Sequence, residues 1–104
     1  MRYKLKKDEH HAAIARELKA GGFCVCDLSR VGCGVPDLLV SRNGVWVLVE
    51  IKTPKGLKTA LERRSAGQIE FHAKAKGPII TAYTASEVIH EFNLLIKYRV
   101  AYAI

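Results

Sequence analysis

The chain has 104 residues, 49% hydrophobic and 26% charged, which is enough for one compact domain and too little for two. Lys and Arg number 17 against 10 Asp and Glu, and the net charge of +7 points to a polyanionic partner, nucleic acid above all. No apolar run is long enough to span a bilayer and MRYKLKKDEHH has no signal-peptide core, so a cytosolic protein is expected.

Residues 8–20, DEHHAAIARELKA, read as a helix with Ala12, Ala13, Ile14, Ala15 and Leu18 on its apolar side, ended by Gly21-Gly22. His10 and His11 are expected to be exposed. FCVCDLS, 23–29, reads as a strand whose Cys24 and Cys26 share one face and are expected in the core. With Cys33 the cysteine count is odd, which argues against a disulfide framework, and Cys-x-Cys beside His10-His11 does not match zinc-site spacing.

RVGCGVP is a glycine-rich loop leading into Pro36. Residues 37–41 and 45–52 are strands of continuous apolar character, the kind usually buried on both faces. TPKGLKTALERRSAG, 53–67, is polar, basic and partly irregular, and from Ser65 to Lys76 the spacing of Ile69, His72 and Ala73 is helical, stopped by Gly77-Pro78. IITAYT, 79–84, is a short strand. ASEVIHEFNLLIK, 85–97, is a helix with Ser86 as its N-cap and Val88, Ile89, Phe92, Leu95 and Ile96 on its apolar face. The tail YRVAYAI is read as a last strand or a partner surface. The order helix, three strands, helix, strand, helix predicts an α/β fold: a mixed central sheet flanked by helices on both faces, with a right-handed crossover to a parallel strand.

Asn43-Gly44 between two apolar runs predicts a two-residue type I′ hairpin. Arg42 then faces Val45, and the same register carried back along both strands sets Asp37 across from Glu50. Opposed side chains have Cβ atoms about 4.5–5.5 Å apart, where two carboxylates repel and burial worsens the cost. A divalent cation reverses that sign, because it needs converging oxygen ligands. Lys52 shares the face of Glu50 and is placed to contact a phosphate, position a water or stabilise developing negative charge. Taken singly, Asp37 as a loop cap and Glu50 as an ion-pair partner of Lys52 are also open. Trp46 lies on the same side and is expected in the core, with base stacking second. His72, one turn after Gln68, is expected to be a packed or surface histidine, with a place facing the site as the second reading.

Pro36-Asp37 followed by Glu50-Ile51-Lys52 after a hairpin resembles the PD-(D/E)XK nuclease signature. GCGVPDLLV, EIKTPKG, SAGQIEFHAKAKG and IITAYT extend the likeness over residues 8–92, and it looks most like the stand-alone VRR-NUC branch of small phage and bacterial proteins, similar in outline to archaeal Holliday junction resolvases. The resemblance implies a restriction-endonuclease-like fold and Mg2+- or Mn2+-dependent hydrolysis of DNA phosphodiesters. It makes Asp37, Glu50 and the Ile51 main-chain carbonyl metal ligands, Lys52 the catalytic lysine and Gln68, in Ser65-Ala66-Gly67-Gln68, the glutamine of the following helix. Glu9 is the first-helix acid, a further catalytic and metal-binding residue, with Glu17 its competitor. The basic segment between Lys52 and Gln68 is longer than the family's.

Lys55, Lys58, Arg63 and Arg64 are read as phosphate contacts that position DNA without reading bases, with Lys4, Lys6 and Lys7 adding to the field. The expectation is a metal-dependent endonuclease of one domain, 1–104, structure-specific for Holliday junctions or other branched DNA, and a twofold homodimer with the tail as a candidate interface. The alternatives are a non-catalytic or partner-dependent nucleic-acid-binding module and a structural or inhibitory protein on the same scaffold.

Overall fold

Among the described residues seven elements form in the expected order: α1 (Arg2–Ala20), β1 (Cys24–Asp27), β2 (Leu38–Arg42), β3 (Val45–Ile51), α2 (Ala66–Lys74), β4 (Ile79–Ala82) and α3 (Ala85–Tyr102). The computed structural model describes residues 2–53 and 65–102, and side chains within 9–53 and 65–98. Asn43 and Gly44 both take positive φ, 55° and 76°, as a type I′ turn requires. That turn sets the register from Arg42↔Val45 back to Leu38↔Val49, as the sequence predicts.

The sheet order is β1-β2-β3-β4, antiparallel except for β3 and β4, which run parallel from Leu48↔Ile79 to Ile51↔Ala82. Parallel neighbours cannot be joined by a tight turn, and α2 lies in the connection between them. One face of the sheet, with Val40, Val47, Val49 and Ile51, packs on Ile14 and Leu18 of α1 and on Val88 and Phe92 of α3. The opposite face carries Glu50 and meets α2, so the mixed sheet has helices on both faces.

Arg42 closes the rim of the core. Its guanidinium lies 4.1 Å from the Phe23 ring centroid, and Phe23 meets Phe92 edge-on at 4.8 Å. It also donates to Gly21 O and Asn93 Oδ1, both at 2.9 Å, tying the end of α1 to α3.

Several expectations are corrected. Helix α1 starts at Arg2, not near residue 8, because Arg, Lys and Leu are good helix formers even where apolar periodicity is lacking. The described part of the tail is not a strand: the backbone continues α3 through Tyr102. Thr84, not Ser86, caps α3, its Oγ1 accepting from Glu87 N at 3.1 Å. Cys24 and Cys26 are exposed, because β1 is an edge strand whose outer face no described helix covers. Trp46 is 57% exposed for the same reason: α2 meets this face farther along β3, at Glu50 and Lys52. His10 and His11 are half-buried rather than exposed. Among the described residues no helix is long and apolar enough to cross a membrane.

Candidate active site

The first acid is delivered by backbone constraints. Gly32, Cys33 and Gly34 all hold positive φ, 76°, 56° and 76°, and turn the chain into the buried Pro36. Asp37 then stands at the head of β2, its main-chain oxygen accepting from Leu28 N at 2.7 Å. The hairpin register would pair Pro36 with Ile51, and proline has no N–H for the Ile51 carbonyl. The Ile51 N–H instead donates to Asp37 Oδ2 at 2.8 Å. The first carboxylate is thereby fixed beside the strand that carries the second, and the Ile51 carbonyl, on the same strand edge as its N–H, faces Asp37.

Strand alternation puts Glu50 on the face opposite Val49 and Ile51. It is fully buried, and Lys52 is 9% exposed. A lone buried carboxylate is costly, and nearby cationic or polarisable nitrogens offset that cost. Lys52 Nζ and His72 Nε2 each lie 3.5 Å from Glu50 Oε2. Lys52 is held at both ends: its N–H donates to Ala82 O at 2.8 Å, and its Nζ donates to Gln68 Oε1 at 3.0 Å.

Helix α2 presents Gln68 and His72 from one face, four residues apart. The Ser-x-x-Gln spacing is a capping box, with Ser65 Oγ accepting from Gln68 N at 3.2 Å and Gln68 Oε1 accepting from Ser65 N at 3.1 Å. One amide oxygen thus serves the helix cap and the lysine together.

Lys52 thus joins Glu50 and Gln68, and Asp37 is bonded to the Ile51 N–H between Glu50 and Lys52 in sequence. Glu9 is exposed on α1, and among the described residues no three His, Cys, Asp or Glu side chains converge closely enough to share an ion, so Glu9 is not gathered with Asp37 and Glu50. Lys55, Lys58, Arg63, Arg64 and the side chains of Lys4, Lys6 and Lys7 lie outside the described residues. His72 is packed, its side chain 14% exposed, and it faces Glu50, so its first and second readings hold together; its spacing of one turn from Gln68 is the sequence signal. An open cleft lined by Cys33, Gly67, Glu70, Phe71, Lys74 and Ala75 adjoins α2, yet none of Asp37, Glu50, Lys52 and Gln68 lines it.

The donor set suits a hard divalent cation. Two carboxylates and a main-chain carbonyl offer oxygen donors, and Mg2+ binds through one or two carboxylates while keeping water and substrate oxygens. Asp37 has one oxygen engaged by Ile51 N–H and its second available. Comparisons with protein-family models, with curated proteins and with solved structures return no match to this chain.

Proposed function

We propose that the chain is a metal-dependent DNA endonuclease with a restriction-endonuclease-like fold, of the VRR-NUC kind. The observation that carries this reading is the placement of Lys52 Nζ between Glu50, at 3.5 Å, and Gln68 Oε1, at 3.0 Å, next to the strand residue that holds Asp37. A buried lysine on an acid-bearing strand end, restrained by a glutamine whose other bond caps a helix, is an arrangement built for position. The charge of +7 favours a polyanionic substrate.

In this reading Asp37, Glu50 and the Ile51 carbonyl hold Mg2+ or Mn2+, which when bound polarises the scissile phosphate and lowers the pKa of a coordinated water. Lys52 supplies a fixed positive charge for the negative charge that grows on the phosphoryl oxygens. Gln68 restrains the ammonium, so that little reorganisation is needed during reaction. Ile51 N–H orients the Asp37 carboxylate. Branched DNA as the substrate and a twofold homodimer belong to the same proposal, since a four-way junction has two symmetric cleavage points.

Full burial of Glu50 beside Lys52 also suits a structural ion pair, which favours, as the second reading, a nucleic-acid-binding module without catalysis. Cleavage of labelled duplex, flap, splayed-arm and four-way-junction DNA with Mg2+ or Mn2+ separates the two. Symmetric junction cuts lost in Asp37→Ala and Lys52→Ala are expected. Cutting of flaps or duplex alone keeps the nuclease and removes the junction preference. Salt-sensitive binding with no cutting of any substrate selects the binding module, and no binding at low salt selects a structural role.

A further inference from the structure

Glu50 Oε2 has two nitrogens at one distance, Lys52 Nζ and His72 Nε2, each 3.5 Å away. The place of Lys52 is explained by its bond to Gln68. That of His72 is not: its Nε2 is buried, makes no hydrogen bond, and belongs to a side chain only 14% exposed. A neutral imidazole there presents a lone pair toward the carboxylate's surroundings.

Resting on the metal-dependent reading above, we propose that His72 Nε2 and Glu50 Oε2 are joint ligands of the divalent ion, and that this nitrogen makes the site prefer Mn2+ or a later first-row ion over Mg2+. Imidazole nitrogen and carboxylate oxygen bind such ions at about 2.0–2.2 Å, so two donors on one ion stand roughly 3–3.5 Å apart at ordinary coordination angles. The observed 3.5 Å lies at the upper end of that range. Imidazole suits transition ions, whereas Mg2+ favours oxygen and keeps its waters.

The fold fixes this placement. The Ser65 capping box and the contact of Gly67 with Gly34 set the rotation of α2, which turns Gln68 to Lys52 and His72 to Glu50 from one helical face. Among the described residues no third His, Cys, Asp or Glu joins closely enough to complete a side-chain triad. The remaining positions then fall to the Ile51 carbonyl, to water, through which Asp37 reaches the ion, and to substrate oxygens, as an open catalytic site allows.

The test is Mn2+ titration of the whole chain by electron paramagnetic resonance, with spin-echo modulation read on the bound ion, for wild type, His72→Ala and His72→Gln. Nitrogen modulation in wild type, lost in both variants, is expected. The variants should bind Mn2+ about tenfold or more weakly, with Mg2+ affinity little changed, so that Mg2+ displaces Mn2+ from them at lower concentration. Bound Mn2+ without nitrogen modulation in wild type, or modulation that survives both substitutions, overturns the assignment and leaves the metal-dependent nuclease standing. Absence of Mn2+ binding by wild type overturns the assignment, while the cleavage panel with Mg2+ or Mn2+ decides the nuclease independently.

Discussion

Gly34 and Gly67 touch backbone to backbone, and a methyl group on Gly34 would overlap the Gly67 carbonyl oxygen. Gly34 also holds φ of 76°, so a side chain there meets both a clash and an unfavourable backbone. Through this contact the loop that leads to Asp37 seats the helix turn that presents Gln68. Gly34→Ala is expected to cost about 1–3 kcal/mol of stability by overpacking. Denaturant unfolding measures that loss, and DNA cleavage should fall further than stability alone explains. Gly44→Ala, at the same φ with open space around it, is the control for strain without clash.

Asp37 has a structural bond as well as a charge, and two substitutions separate them. Asp37→Asn keeps an acceptor for Ile51 N–H and should fold with near-wild-type stability while losing metal-dependent cutting. Asp37→Ala removes the acceptor at 2.8 Å and should cost about 1–3 kcal/mol in addition. Equal thermal midpoints for the two variants would show that the Ile51 bond contributes nothing.

Lys52 and Gln68 act as a unit. Lys52→Ala is expected to reduce cutting by about 10²–10³-fold, the scale of removing one positioned charge stabiliser. Gln68→Ala should reduce it less and also weaken α2 by about 0.5–1.5 kcal/mol through loss of the bond from Ser65 N, with the Ser65 cap itself retained. The effects of the double variant on cleavage should fall short of the product of the singles, because Gln68 works through Lys52. Independent, multiplicative effects would remove the positioning role.

Arg42 stands apart from the site. Arg42→Lys cannot keep the stacking on Phe23 together with bonds to Gly21 O and Asn93 Oδ1. A loss of about 1–3 kcal/mol is expected on chemical unfolding. DNA cleavage per folded molecule should be unchanged.

Among the described residues Asp27 carries a defined pH signature. The Ser29 hydrogen bonds hold its carboxyl below the usual range, against partial burial that raises it. A depressed folded pKa contributes stability above the unfolded value of about 3.9, lost as pH falls through the folded pKa. The thermal midpoint of wild type should therefore drop toward that of Asp27→Ala below about pH 4, with their difference constant at higher pH. A difference that widens on acidification would reverse the assignment.

Element order and the central register were legible because they depend on local chemistry. Asn43-Gly44 dictates a two-residue turn, and the turn sets every pair from Arg42↔Val45 to Leu38↔Val49. The surroundings of a side chain were less legible. Cys24, Cys26 and Trp46 sit in apolar runs that read as core, yet burial depends on which helix covers which part of a sheet face. Ser65-x-x-Gln68 stands out in the sequence by its spacing, and only the folded helix shows a capping box whose glutamine oxygen also holds Lys52.

By itself the sequence determined a mixed α/β domain and placed Asp37, Glu50 and Lys52 at one end of a hairpin, because strand alternation and turn geometry act over a few residues. Only the tertiary structure decided that α2 covers that end, that Gly67 rests on Gly34, and that His72 stands 3.5 Å from Glu50. Those relations join segments distant in sequence, and their distances follow from how helix and sheet pack rather than from any local pattern.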